Sequence, residues 1–144
     1  MTKALTEEAL KLDNQLCFPL YAAARKITNA YVPYLKPLGI TYTQYLVFLV
    51  LWEKDGQTVG DICTRLYLDN GTLSPLLKKL ESNGYLSRIR NDKDERIVMI
   101  SLTEKGKELK QKAKNIPFEI GRCFPLKSKD AVELHRLLYE YLNS

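Results

Sequence analysis

Between Leu66 and Thr103 the hydrophobic period of the chain changes once, and that change constrains the fold more than any other feature. In Asn70–Glu81 the leucines stand at 73, 76, 77 and 80, the i, i+3, i+4, i+7 spacing that buries one face of a helix. After Asn83-Gly84, a helix stop, Tyr85–Arg90 and Arg96–Leu102 have the β-branched or alternating apolar content of strands. Asn91-Asp92-Lys93-Asp94-Glu95 is the charged tip between them. The pattern predicts a helix followed directly by a two-stranded hairpin.

The polar side of that helix carries Thr72, Ser74, Lys78 and Lys79. Hydroxyls for base edges or phosphates, with ammonium groups for the backbone, are what a helix in the major groove requires. Upstream, Val59, Ile62, Leu66 and Tyr67 form one apolar stripe with Thr58 as N-cap, which predicts a supporting helix. Asp69-Asn70-Gly71 separates the two as the turn of a helix-turn-helix. Pro75 is comfortable only in a first turn, so the second helix begins near Thr72 or starts distorted. Behind such a unit the hairpin reads as a wing. Arg88, Arg90, Lys93 and Arg96 supply phosphate contacts, and an arginine at the tip can enter a narrow minor groove.

Flanking segments complete a mostly helical fold with a small β-hairpin wing. Cys17, Leu20, Ala24, Ile27 and Tyr31 mark an amphipathic helix over roughly residues 18–31, ended by Pro33 and Pro37. Thr41 or Thr43 caps a helix whose buried side is Tyr45, Leu46, Phe48, Leu49 and Trp52, stopping near Asp55-Gly56. Thr103 opens another, which runs to about Asn115 before Pro117 interrupts. Ser128 caps the last, where Val132, Leu134, Leu137, Leu138, Tyr141 and Leu142 are too many apolar groups for a solvated tail. Those excess faces predict a two-fold homodimer on a pseudo-palindromic site in double-stranded DNA, the competing reading being that they all pack within one chain. The expected organisation is one domain over 1–144, with a winged helix-turn-helix at 40–103 and dimerisation helices at 10–38 and 104–144.

With 144 residues and a net charge of +5, the chain buries a real core and suits a polyanionic partner. It has no room for a second, catalytic domain. No run approaches the ~20 apolar residues needed to span a bilayer, and Met1–Glu8 lacks the apolar core of a signal peptide, so a cytoplasmic protein without membrane partners is expected. Cys17, Cys63 and Cys123 are too few and too scattered for a disulfide framework. Cys63 reads as core. For Cys17 two placements stay open. If the helix starts at Phe18 or Pro19, the thiol sits beside exposed backbone N–H groups that favour thiolate; in a kinked helix it lies inside. Cys123 lies in a non-periodic connection, where an exposed thiol could resolve an oxidised Cys17.

From Leu12 to about Lys114 the chain resembles the MarR-type winged-helix repressors, in particular their organic-hydroperoxide-resistance branch. The resemblance is carried by Asn14-Gln15-Leu16-Cys17-Phe18, Ile40-Thr41-Tyr42-Thr43-Gln44-Tyr45, the run Leu66–Lys78 and Asp92-Lys93-Asp94-Glu95-Arg96. It sets Pro75 in the reading helix and the family's Asp-x-Arg wing signature on Asp94 and Arg96. It implies a homodimeric repressor whose N-terminal cysteine, here Cys17, is oxidised by organic hydroperoxide to sulfenic acid, after which DNA is released. It also implies that Tyr31 and Tyr42 hydrogen-bond the sulfur, and that Cys123 resembles the resolving cysteine of two-cysteine members. Cys17 and Tyr31 are 14 residues apart, roughly 21 Å along a continuous helix. An antiparallel partner helix is then needed to bring them together.

Two rival readings follow from the same residues. A peroxidase or other thiol enzyme lacks support: His135 is the only histidine, on an amphipathic helix, and there is no phosphate loop, dinucleotide fingerprint or zinc-spaced cluster. No cofactor and no metal are expected. The other rival is a repressor released by a phenolic or drug-like ligand, with Cys17 merely structural.

Overall fold

The computed structural model describes residues 3–144; Met1 and Thr2 lie outside it. In chain order the elements are α1 (Lys3–Ala9), α2 (Cys17–Leu35), α3 (Tyr42–Glu53), β1 (Gln57–Thr58), α4 (Val59–Leu66), α5 (Asn70–Ser82), β2 (Leu86–Arg90), β3 (Val98–Leu102), α6 (Glu104–Ala113), α7 (Ile116–Cys123) and α8 (Ser128–Leu142). Single 3-10 turns stand at Leu12–Asn14 and Lys36–Leu38. The chain divides into two compact units, one ending at Lys114 and the other spanning Asn115–Ser144. The architecture is the expected one, mostly helical with a small wing. No helix among the described residues is long and apolar enough to cross a membrane.

In the first unit the core is built where the helix-turn-helix meets α3. Leu73, Leu77 and Leu80 of α5, Ile62 of α4, Phe48 and Leu51 of α3, and Leu86 and Ile100 of the sheet are all buried. Full burial of a leucine contributes about 1.5–3 kcal/mol, so the leucine stripe both forms α5 and seats it. Leu76 is only half-buried, at the stripe's edge. The stripe expected on α3 is wrong in detail: Leu49 is exposed, whereas Val47 and Val50 are buried. That helix is apolar nearly all round because it is central, and a helix enclosed on most sides carries no readable amphipathic face.

Side-chain caps set the helix starts. Thr41, not Thr43, caps α3 in a capping box with Gln44, and Thr58 caps α4 in another with Asp61. Asp69 caps α5, accepting from Thr72 N at 2.7 Å. Thr103 caps α6. Ser128 instead lies inside α8, whose N-cap is Lys127 with no side-chain bond.

Prolines act differently from the sequence reading. Helix α2 runs through Pro33 to Leu35, because one missing N–H costs a single bond in a 19-residue helix. The chain turns only at Gly39, with φ 70°. Helix α5 starts at Asn70, before Thr72, and holds Pro75 inside. Pro117 opens α7 rather than interrupting a helix, since proline fits a first turn.

The wing has a third strand that no periodicity could reveal, since β1 is two residues long. The sheet order is β1-β3-β2, antiparallel throughout, with both Gln57 and Arg88 opposite Ile100. Arg96 and Ile97 belong to the tip, not to β3.

Candidate nucleic-acid interface and thiol site

On α5, Thr72, Pro75, Lys78 and Lys79 are exposed and Ser74 is half-buried. Ser74 Oγ donates to Asn70 Oδ1 at 2.8 Å, so Asn70, one turn earlier on the same face, orients that hydroxyl. The i, i+4 spacing of two polar residues was the available signal for Asn70. Tyr67 departs from the apolar stripe expected of it: it is the left-handed C-cap of α4 at φ 55°, and exposed.

The wing tip is held by its own side chains. Asp94 Oδ1 accepts from Arg96 N at 3.0 Å, Asn91 Oδ1 accepts from Lys93 N at 2.8 Å, and Ile97 N donates to Asp94 O at 3.0 Å. The Asp-x-Arg pair is therefore structural through its aspartate, which sets the turn that carries exposed Arg96. Arg90 and Lys93 are exposed beside it. Arg88 differs from them, because its Nε lies 2.6 Å from Glu81 Oε2 on α5. That pair braces the wing against the last turn of the helix and neutralises one arginine of the set. A cavity of about 570 Å3 lies between them, walled by Asn70, Ser74, Leu77, Arg88 and Arg96, with Cys63 and Gly60 of α4 at its back. Cys63 is half-buried there, and burial, followed by the Asp69 carboxylate, pushes its thiol pKa up.

Cys17 is the first residue of α2 and is exposed as a free thiol. The helix starts one residue earlier than Phe18, so Cys17 lies within its first turn, whose backbone N–H groups lack intrahelical partners, and Pro19 is tolerated there. Tyr31 lies on the same unbroken helix. Its ring centroid is 4.7 Å from that of Tyr42 and 5.7 Å from that of Tyr45. Sequence reasoning left Tyr45 as core only, yet it completes a three-tyrosine cluster. Burial, and then the neighbouring Tyr42, raises Tyr31; burial raises Tyr42; burial, then Tyr31 and Tyr42, pushes Tyr45 up to about 12. These hydroxyls remain protonated donors through neutral pH. Next to Tyr42, Thr28, Val32, Leu35 and Ile40 line a concavity of about 350 Å3 with Lys36 at its edge.

In the second unit, Cys123 is the last residue of α7 rather than part of an irregular connection. It is exposed, and its Sγ donates to Glu119 O at 3.4 Å. Helix α8 exposes Val132, Leu137, Tyr141 and Leu142. Among the described residues no three His, Cys, Asp or Glu side chains gather where a metal ion could be held.

Comparison with known proteins places this geometry. Residues 29–113 match the family model described as transcriptional regulator SarA/Rot. An organic hydroperoxide resistance transcriptional regulator of Bacillus subtilis is 47% identical over 94% of this chain and 92% of its own length. Among solved structures, reduced AbfR of Staphylococcus epidermidis bound to DNA is similar at a TM-score of 0.80 and 36% identity, covering 96% of this chain and 94% of that one. AbfR has also been solved in overoxidised, DNA-bound form and in disulfide-formed form. A MarR variant of Escherichia coli complexed with operator DNA aligns at a TM-score of 0.80 and 25% identity, over 88% of this chain and 93% of that one.

Proposed function

The chain belongs to the SarA/Rot family of transcriptional regulators, on the winged-helix fold of the MarR-type repressors, and we propose that it is a DNA-binding repressor switched by oxidation of Cys17 with organic hydroperoxide. The observation that carries this reading is the layout of α2. An exposed thiol opens the helix, and Tyr31, beside Tyr42, sits roughly 21 Å further along it. One chain cannot bring these groups together along a straight helix; two antiparallel copies can. In the proposed homodimer each Cys17 meets Tyr31 and Tyr42 of the partner subunit, whose hydroxyls donate to the thiolate. The dimerisation segments are 10–38 and 104–144, with the exposed apolar groups of α8 covered by the second copy.

The chemistry balances in two steps. The Cys17 thiolate attacks the terminal oxygen of a hydroperoxide ROOH, the O–O bond breaks, and the leaving alkoxide takes a proton to give ROH and Cys17 sulfenic acid. The thiol of the partner's Cys123 then attacks that sulfur, an S–S bond forms, and hydroxide leaves with the thiol proton as water. Neither step regenerates the thiol by itself; an external thiol reductant resets the switch by reducing the disulfide. Reduced dimers present Thr72, Ser74, Pro75, Lys78 and Lys79 to the major groove, with Arg90, Lys93 and Arg96 of the wing at the flanking backbone and Asp94 holding the turn that aims Arg96. Arg88 serves as the brace to Glu81. Oxidation disturbs the interface and spoils the half-site spacing.

For the lock, oxidised protein run on a non-reducing gel is expected to migrate as a linked dimer, and the Cys123→Ser variant as monomer. A linked dimer in Cys123→Ser would remove this thiol from the reading. For the wing, Arg96→Ala is expected to weaken operator binding and flatten its salt dependence, because fewer counterions are released; an unchanged affinity and slope would argue against wing contact. A second reading, release by a small phenolic or drug-like ligand with Cys17 structural, is favoured by the apolar concavity beside Tyr42. It predicts that Cys17→Ser remains fully inducible.

A further inference from the structure

The carboxyl end of α5 and the amino end of α6 are fastened at one spot, and we propose that Lys105 is a positioning residue that fixes the angle between these helices and thereby the half-site spacing a dimer accepts. Lys105 Nζ donates to the carbonyl of Asn83, the C-cap of α5, at 2.7 Å. The same ammonium stands 4.4 Å over the ring centroid of Tyr85. One cation thus holds both the end of the reading helix and the first residue after its turn.

The surrounding contacts make this a joint rather than a chance surface contact. Thr103, the N-cap of α6, donates from Oγ1 to Gly84 O at 2.6 Å and from N to Tyr85 O at 3.1 Å. At Gly106 a Cβ would lie 2.2 Å from Tyr85 O, so only glycine allows α6 to approach so closely. Trp52 Nε1 donates to Gly106 O at 2.9 Å and brings α3 into the same joint. Backbone bonds and packing hold the joint together, whereas Lys105 is exposed and adds nothing to the core. Its place at a helix C-terminus complements the partial negative charge of the last carbonyls. Losing it should therefore change the stiffness of the α5–α6 angle more than the fold.

This inference rests on the reading of the protein as a dimeric DNA binder. The test uses a duplex selected by the wild-type protein from a random pool, with versions carrying one base pair more or fewer at its centre. The Lys105→Met protein is expected to melt close to wild type and to bind the selected duplex about fivefold more weakly. Its penalty for altered spacing should shrink while its salt slope stays unchanged, and Lys105→Arg should restore both affinity and spacing penalty. An unchanged affinity and spacing penalty in Lys105→Met would overturn the inference. So would a salt slope lowered by about one per subunit, since the lysine would then be contacting a phosphate. A loss equal at every spacing, or one accompanied by a collapse in melting temperature, would also overturn it. Wild-type protein that selects no duplex would bring down the DNA-binding reading itself.

Discussion

In the proposed thiol site, the cluster of Tyr31, Tyr42 and Tyr45 supplies the hydroxyl donors for the partner's thiolate. Burial keeps all three protonated, Tyr45 up to about 12, so donation does not vary across physiological pH. Tyr42→Phe keeps the ring packed on Tyr31 at 4.7 Å and deletes only the donor. It is expected to leave melting temperature and reduced-state DNA affinity unchanged and to slow sulfenic acid formation about tenfold, since a hydrogen bond to a charged group is worth about 1.5–3 kcal/mol. Trapping the sulfenic acid with a dimedone-type reagent measures that rate; an unaltered rate would take Tyr42 out of the site. Single residues also show where sequence reading stops. Cys17, Tyr31 and Tyr42 enter the proposed site through resemblance, and Cys17 also through its place beside Pro19. The contact of Tyr45 with Tyr31 was not legible, because an aromatic in an all-apolar helix looks like its neighbours.

At the scale of elements, the reading helix depends on its cap. Hydrogen bonds from the Thr72 backbone, then its side chain, hold the Asp69 carboxyl below the usual 3.8. A carboxylate held low in the folded state stabilises above its unfolded value and loses that contribution as pH falls through the lower folded one. Asp69→Ala is therefore expected to melt a few degrees below wild type near neutral pH, with the two curves converging as the pH drops through and below 3.8. A gap that persists in acid would mean that the aspartate acts by packing, not charge. Elements with a strong period were legible: the stripe at Leu73, Leu77 and Leu80 specified α5, and Thr58 and Thr103 specified helix starts. Elements without one were not. Two-residue β1 pairs only because β3 is already there, and α2 passes through Pro33 because the remaining bonds of a long helix outweigh one lost N–H. Cys123 reads as loop in the sequence because Pro117, Gly121 and Pro125 obscure the whole of the eight-residue α7.

For the whole molecule, the proposed thiol switch requires a second copy, since Cys17 and Tyr31 stand far apart on one helix. Cys17 and Tyr31 share a continuous helix, α8 exposes Val132, Tyr141 and Leu142, and α5 and the wing expose Lys78, Lys79, Arg90 and Arg96. The proposed switch links these facts: the dimer contacts that complete the thiol site are also those that set the distance between the two reading helices. The most direct measurement follows operator binding during titration with an organic hydroperoxide, comparing wild type with Cys17→Ser. The account predicts that wild-type protein releases the operator and that adding a thiol reductant restores binding, while Cys17→Ser stays bound throughout. Release of Cys17→Ser at the wild-type hydroperoxide concentration would contradict it.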